Sequence, residues 1–334
     1  MKIATGTMRI AASLLLALPL VAAQAAESGP TQKGHIIGTG KLMSVSILPQ
    51  KAVIRGADRT AQLVVTGHYE NGGIRDLTAA AEFAPADPKV LRIEAPGLAI
   101  PSADGKTDVV ATVEGKTVAA SITVESMTTD IAINFTNEIV PIFSKLGCNS
   151  GGCHGKASGQ NGFKISLLGF EPNVDYEALT RETRGRRVFP AAPERSLLLL
   201  KAVALLPHGG GKRLELNSPE YKLIHRWIKS GMPFGEEKDP KVVSISIDPP
   251  HRVVARKSAQ QFTVTAHYND GTTEDVTRRA EYSSNDQEIV TVTETGKAET
   301  LDLPGEGSIM ARYLGNVSVF RATIPMGAPM DKYV

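Results

Sequence analysis

The feature that most constrains this 334-residue chain is an internal repeat: two segments about 200 residues apart carry one pattern, and a different middle separates them. The run K-L-M-S-V-S-I-L-P at 41–49 matches K-V-V-S-I-S-I-D-P at 241–249. Q-L-V-V-T-G-H-Y-E-N-G at 62–72 matches Q-F-T-V-T-A-H-Y-N-D-G at 261–271, and D-L-T at 76–78 matches D-V-T at 275–277. Each copy alternates apolar and polar residues in short β-branched runs, with Asn71-Gly72 and Asp270-Gly271 between runs, as antiparallel hairpins require. Further strands are expected at Val109–Val113, Ala119–Val124, Ile309–Tyr313 and Ser318–Thr323. Two β-sandwiches of about 80–90 residues each follow from this pattern.

The repeat resembles the bacterial Ig-like group 2 domain, on the strength of the S-I-x-P strand, the T-A-H-Y-N-D-G-T-T-E-D-V-T hairpin at 265–277 and the E-Y-S-S-N-D-Q-E-I-V-T-V segment at 281–292. The first copy departs from the pattern at 83–93, F-A-P-A-D-P-K-V-L-R-I, which keeps the alternation and loses the polar turn. His68 and His267 occupy the same strand position in the two copies and read as structural residues, while His35 and His251 read as solvated.

Lys2 and Arg9 precede an apolar run, Ile10 to Ala23, that ends in the small-x-small site Ala23-Gln24-Ala25, so residues 1–25 read as a secretory signal peptide. Cleavage would remove Lys2 and Arg9 from 37 basic residues and leave a chain balanced against 35 acidic ones. That balance gives no basic footprint for a nucleic acid. No other apolar stretch approaches the roughly 20 residues of a bilayer span, so an exported protein without a transmembrane anchor is expected, in the periplasm or at the cell surface.

Between Thr136 and Gly231 apolar residues recur at three- and four-residue intervals, which predicts helices. They are expected at Asn137–Lys145 with a bend at Pro141, at Asp175–Thr183, at Glu194–Ala204, and in a closing helix that Ser218 caps, Pro219 opens and Gly231 ends. Both cysteines of the chain lie after the first helix, in Cys148-Asn-Ser-Gly-Gly-Cys153-His154. Two thiols followed by His suit covalent haem attachment with His154 as an axial ligand, although the usual spacing is C-x-x-C-H. Ser150, Gly151 and Gly152 are small enough for the longer loop to bulge without blocking a porphyrin. A Cys148–Cys153 disulfide is the competing reading in an oxidising compartment, and a zinc site lacks a second ligand pair.

The segment at 135–159, together with 197–201 and the closing helix with its G-M-P-F turn, resembles the planctomycete-type cytochrome c domain, which Ig-like group 2 modules often flank. The resemblance implies one covalent haem c. Related domains place a Met in a Met-Pro-Pro turn before the last helix, and His208 stands at that place in L-P-H-G-G-G-K, 206–212. The implied iron ligands are therefore His154 and His208, with Met232 as the alternative to His208, and a His pair implies a lower potential than His/Met. Arg181, Arg184, Arg186 and Arg187 form the densest basic cluster, and Arg186 and Arg187 are the candidates for the haem propionates or a carboxylate-bearing partner, against a plain solvated helix end. His225 reads as a boundary residue of the last helix.

The expected fold class is multidomain β + α: a signal peptide at 1–25, Ig-like β-sandwiches at 41–125 and 241–326, and between them a small α-helical cytochrome-c-like domain at 132–236. The expected function is electron transfer with a redox partner protein, the Ig-like modules serving as spacers or docking surfaces. The alternatives are a cell-surface structural or adhesion protein with a disulfide, and a haem-based redox sensor. No catalytic constellation stands out.

Overall fold

The structure is a computed structural model and describes residues 36–94, 96–129 and 131–329. The expected signal peptide and His35 lie outside the described residues. The first repeat forms ten strands: β1 (Leu42–Leu48), β2 (Lys51–Arg55), β3 (Ala61–Gln62), β4 (Val64–Tyr69), β5 (Ile74–Asp76), β6 (Glu82–Pro85), β7 (Leu91–Glu94), β8 (Leu98–Pro101), β9 (Gly105–Val113) and β10 (Lys116–Glu125). They pair as β1-β4-β5, β2-β10-β9-β6 and β3-β8-β7 around a core that includes Leu63, Val65, Val109 and Ile122.

The second repeat forms β11 (Val242–Asp248), β12 (His251–Val253), β13 (Ala259–Gln261), β14 (Thr263–Tyr268), β15 (Thr273–Asp275), β16 (Glu281–Ser284), β17 (Val290–Val292), β18 (Lys297–Thr300), β19 (Gly305–Tyr313) and β20 (Asn316–Ile324). Its orders, β11-β14-β15, β12-β20-β19-β16 and β13-β18-β17, repeat those of the first copy. The equivalence extends to detail: a bulge interrupts β1/β4 at Leu42/Ser44 and β11/β14 at Val242/Ser244. The departure at 83–93 leaves the register intact, since Phe83 faces Ala111 as Tyr282 faces Ala311.

Two sequence signatures have a local cause. Gly72 and Gly271 sit at φ +76° and +82°, which a side chain disfavours, and Asn71 and Asp270 accept from the amides two residues on. In D-L-T, Asp76 Oδ1 accepts from the Thr78 amide at 2.8 Å while Thr78 Oγ1 accepts from the Val65 amide at 2.9 Å. Asp275, Thr277 and Val264 repeat this corner at 2.8 Å for both bonds.

The middle contains α1 (Val140–Lys145), α2 (Pro172–Thr180), α3 (Leu197–Ala202) and α4 (Pro219–Lys229), with a π-helical turn at Phe135–Ile139 before α1. Three expected helices shift. The first divides where Pro141 enters α1, because a proline lacks the amide of a continuous ladder. The second starts three residues early, with Pro172 in its first turn, and ends at Thr180 instead of Thr183. Glu194–Ala204 resolves into a 3-10 turn at Pro193–Arg195 and α3. The last helix matches its signals: Ser218 Oγ accepts from the Tyr221 amide at 3.1 Å, and Leu223, Ile224, Trp227 and Ile228 are buried. Trp227 packs on Phe135, and the Phe135 amide donates to Phe234 O at 3.0 Å, so the two ends of the helical core close on each other.

The sandwiches touch each other through equivalent residues. The Gln62 amide donates to Asp275 Oδ2 at 2.6 Å, and the Gln261 amide donates to Asp76 Oδ2. They also hold the helical core. Arg59 of the first sandwich pairs with Glu138 beside α1 and with Glu274 of the second, which also takes Arg279 and the Tyr268 hydroxyl. Tyr313 Oη donates to Asn137 O at 2.8 Å, and Lys145 donates to Arg278 O. The sandwiches thus pack against the helical core as well as against each other.

Burial opposes the charge on Glu274, but Arg279 and Arg59 outweigh it and hold the carboxyl below its ordinary value. A depressed carboxyl contributes stability above its unfolded pKa and loses that contribution as pH falls through the folded one. Glu274→Gln leaves two buried guanidinium groups poorly compensated and should cost about 3–5 kcal/mol near neutral pH. Thermal melts should show the gap to wild type narrowing below about pH 4; a gap independent of pH would show that the junction is not held by charge.

Candidate functional site

The loop that carries both cysteines is placed by the end of α1. Gly147, at φ +69°, terminates the helix, and the Cys148 amide then donates back to Phe143 O at 2.8 Å. The loop closes on itself through Cys153 N–H to Ser150 O at 3.0 Å, His154 N–H to Cys148 O at 3.0 Å and Gly155 N–H to Ser150 O at 3.1 Å. The strict steric requirement falls on Gly155, where a Cβ would meet Asn149 O at 1.9 Å. Around Gly152 there is open space, and Gly151 meets only Leu167 at 3.9 Å, so those two are small without being sterically forced.

Cys148 and Cys153 are free thiols that line one cavity of about 610 Å³. That volume lies within the roughly 300–1,000 Å³ of small-molecule and cofactor sites. Burial pushes the Cys148 thiol up to about 11, which disfavours the thiolate needed for disulfide exchange. Phe143, Ile165, Leu198, Leu214 and Ile224 supply apolar walls, while Arg186, Arg187, Lys201 and Arg213 supply the charge. No carboxylate lines the cavity among the described residues. Such a lining suits a flat apolar body that carries negative groups at its edge.

His154 and His208 both line this cavity, from loops more than fifty residues apart in sequence. Their rings lie 6.2 Å apart between centroids and only 8° from parallel. His154 Nδ1 bonds Phe163 O at 3.0 Å and His208 Nδ1 bonds Gly211 O at 2.8 Å. A carbonyl oxygen can only accept, so each Nδ1 carries a proton, and in a neutral ring of this tautomer Nε2 holds the lone pair. Burial lowers the His154 pKa; the bond to Phe163 O opposes this, while His208, Arg187 and Lys201 push it the same way as burial, and the net shift favours the neutral ring. An imidazole whose far nitrogen donates to a main-chain carbonyl is oriented as a metal ligand is. Among the described residues no group of three His, Cys, Asp or Glu side chains converges on a metal, which leaves the zinc reading without a ligand set.

The other candidates separate. Met232 is absent from the cavity lining: it packs against the helical core, its amide donates to Trp227 O at 2.9 Å and its carbonyl accepts from Tyr176 Oη at 2.7 Å. Arg186 lines the mouth of the cavity and is exposed. Arg187 reaches the cavity, but its fork is occupied by main-chain carbonyls, Ala178 O at 2.6 Å and Gly162 O at 2.7 Å. Lys201 and Arg213 were not singled out by sequence, since they stand twelve positions apart and neither belongs to the arginine cluster at 181–187; the fold brings them to the cavity that Arg186 lines. His68 and His267 make the same bond in each sandwich, to Ser46 Oγ and Ser246 Oγ, both at 2.9 Å. His251, expected in solvent, is half-buried with Nε2 3.0 Å from Thr323 Oγ1, because β12 lies parallel to β20. His225 stands 3.7 Å from Glu194, away from the cavity lining.

The fold is mostly β, with two Ig-like sandwiches and few helices. Residues 241–307 match the family model of the bacterial Ig-like domain (group 2), so the second sandwich carries that family's pattern; the match does not reach the helical middle. A search of curated proteins finds no match. Among solved structures, domains 5-6 of the S-layer protein SbsC share 10% identity at a TM-score of 0.33, over 87% of this chain and 99% of that one. Domains 1-6 of the same protein share 12% at 0.24, over 81% of this chain and 24% of that one. The extracellular domains 3-5 of Drosophila OTK share 7% at 0.18, over 85% and 62%. This chain spans about a quarter of the longer S-layer structure. TM-scores this low support no inference about role. Among the described residues no helix is long and apolar enough to cross a membrane.

Proposed function

We propose that the cavity holds one haem c, attached through Cys148 and Cys153, with His154 and His208 as axial ligands, in an exported electron-transfer protein. The observation that carries this reading is the relation of the two imidazoles, parallel within 8° and 6.2 Å apart between centroids, each with Nδ1 held by a carbonyl. These two imidazoles would hold haem iron between them, each giving Nε2. Cavity volume, apolar walls and cationic edge point the same way. Haem would supply one-electron chemistry at iron, its potential set by the axial pair. The chain's own residues orient the two imidazoles, present the thiols, and meet the propionates with Arg186, Lys201 and Arg213 at the rim. Arg187 lines the same cavity, buried, with Nη1 on Ala178 O and Nη2 on Gly162 O.

The Ig-like pattern at 241–307 favours a second reading, a cell-surface structural or adhesion protein, to which docking through the sandwiches would belong. A pyridine haemochrome spectrum of protein made with a cytochrome c maturation system separates the two. The expected result is one haem per chain retained after denaturation. Mature protein with a Cys148–Cys153 disulfide and no haem absorbance would leave the structural reading in place.

A further inference from the structure

Arg187, a lining residue of the cavity, is 6% exposed. Its Nη1 donates to Ala178 O at the end of α2 and stands 3.4 Å from Glu182 Oε2, a half-exposed carboxylate, and its Nη2 donates to Gly162 O inside a small hairpin. That hairpin is closed by Gln160 N–H to Phe163 O at 2.8 Å and Phe163 N–H to Gln160 O at 3.0 Å. The guanidinium also lies over the Phe163 ring, 4.6 Å from its centroid. Phe163 in turn touches His154 twice: its carbonyl receives Nδ1–H at 3.0 Å, and its ring packs on the imidazole at 4.6 Å between centroids. Arg187 thus braces Phe163, whose carbonyl and ring both hold the His154 imidazole.

We propose that Arg187 is a positioning residue for His154: it pins the 160–163 hairpin to α2 so that Phe163 O holds the Nδ1–H and Nε2 is presented to the cavity. This rests on the haem reading above for its redox consequence, and on the protein alone for its tautomer. Only a planar fork serves, because two carbonyls and a ring face are engaged at once; a lysine has the charge without the geometry. A strong Nδ1–H bond raises the basicity of Nε2, which favours ferric over ferrous iron, and loss of such an outer partner typically costs a factor of about 10–100 in metal affinity or activity.

The test uses Arg187→Met and Arg187→Lys in the full chain. In haem-loaded protein both are expected to weaken the preference for ferric iron roughly tenfold, a rise in midpoint potential of about 59 mV for a one-electron couple. A shift in Arg187→Met with Arg187→Lys at the wild-type potential would make the residue a charge partner of the propionates and overturn the proposal, as would no shift in either. In wild-type protein made without haem, nitrogen NMR above the His154 pKa should show the Nδ1–H tautomer, and Arg187→Met a mixture. An Nε2–H tautomer in the wild type overturns the proposal without any variant. Failure of haem to attach would count against the cofactor reading alone, and the tautomer would still decide the role of Arg187.

Discussion

Replacement of Cys148 and Cys153 together by Ser should remove the haem-staining band from a denaturing gel completely, against a strong band for the wild type. The two thiols are the only cysteines in the chain, so no other residue can form a thioether to a vinyl group. Both are free, both face the same cavity, and neither belongs to a sandwich core, so the double variant should keep its β-rich circular dichroism. Single Ser variants should retain a partial stain through the remaining thiol. A haem band that survives the double replacement, or wild-type protein with a Cys148–Cys153 disulfide and no haem band, would exclude covalent attachment at this loop.

The second large effect is expected at iron. Wild-type protein should be six-coordinate and low-spin, without the weak near-infrared band of a Met-ligated ferric haem. His208→Ala should open the site to exogenous imidazole or carbon monoxide. The His208 loop is self-contained, its ring tied to Gly211 three residues on, so the change should leave the helical core standing. Met232→Ala should do the opposite: it removes a side chain packed on that core and lowers the melting temperature, with the absorption spectrum unchanged. The reverse pattern would move the sixth ligand to Met232 and raise the potential, and an open site in the wild type would favour a ligand-sensing role.

Legibility in the sequence followed the range of the interactions. The Asp-x-Thr corner and the Asn-Gly and Asp-Gly turns close within a few residues, so their pattern survives in both copies and announces the strands. Ser218 and Gly231 marked α4 for the same reason. Contacts that depend on distant segments were silent: Gln62 and Gln261 read as ordinary strand positions, yet their amides join the two sandwiches. Arg187 read as half of an anion-binding pair with Arg186, since adjacency says nothing of which neighbour turns inward. Lys201 and Arg213 reach the cavity only because α3 and the following loop fold against the cysteine loop.

The reciprocal contact between Asp76 and Gln261, and between Asp275 and Gln62, is the pattern of a two-fold dimer written into one polypeptide. Between separate molecules such a joint would come apart on dilution. Between tethered copies it forms within one molecule, whatever the protein's abundance. Tethering also releases the halves from identity: where the second copy has Glu274 and Arg279, the first has Arg75 and Ala80. The joint can therefore stay symmetric while its surroundings diverge, with Arg59 of the first copy reaching Glu138 and Glu274 of the second reaching Arg59.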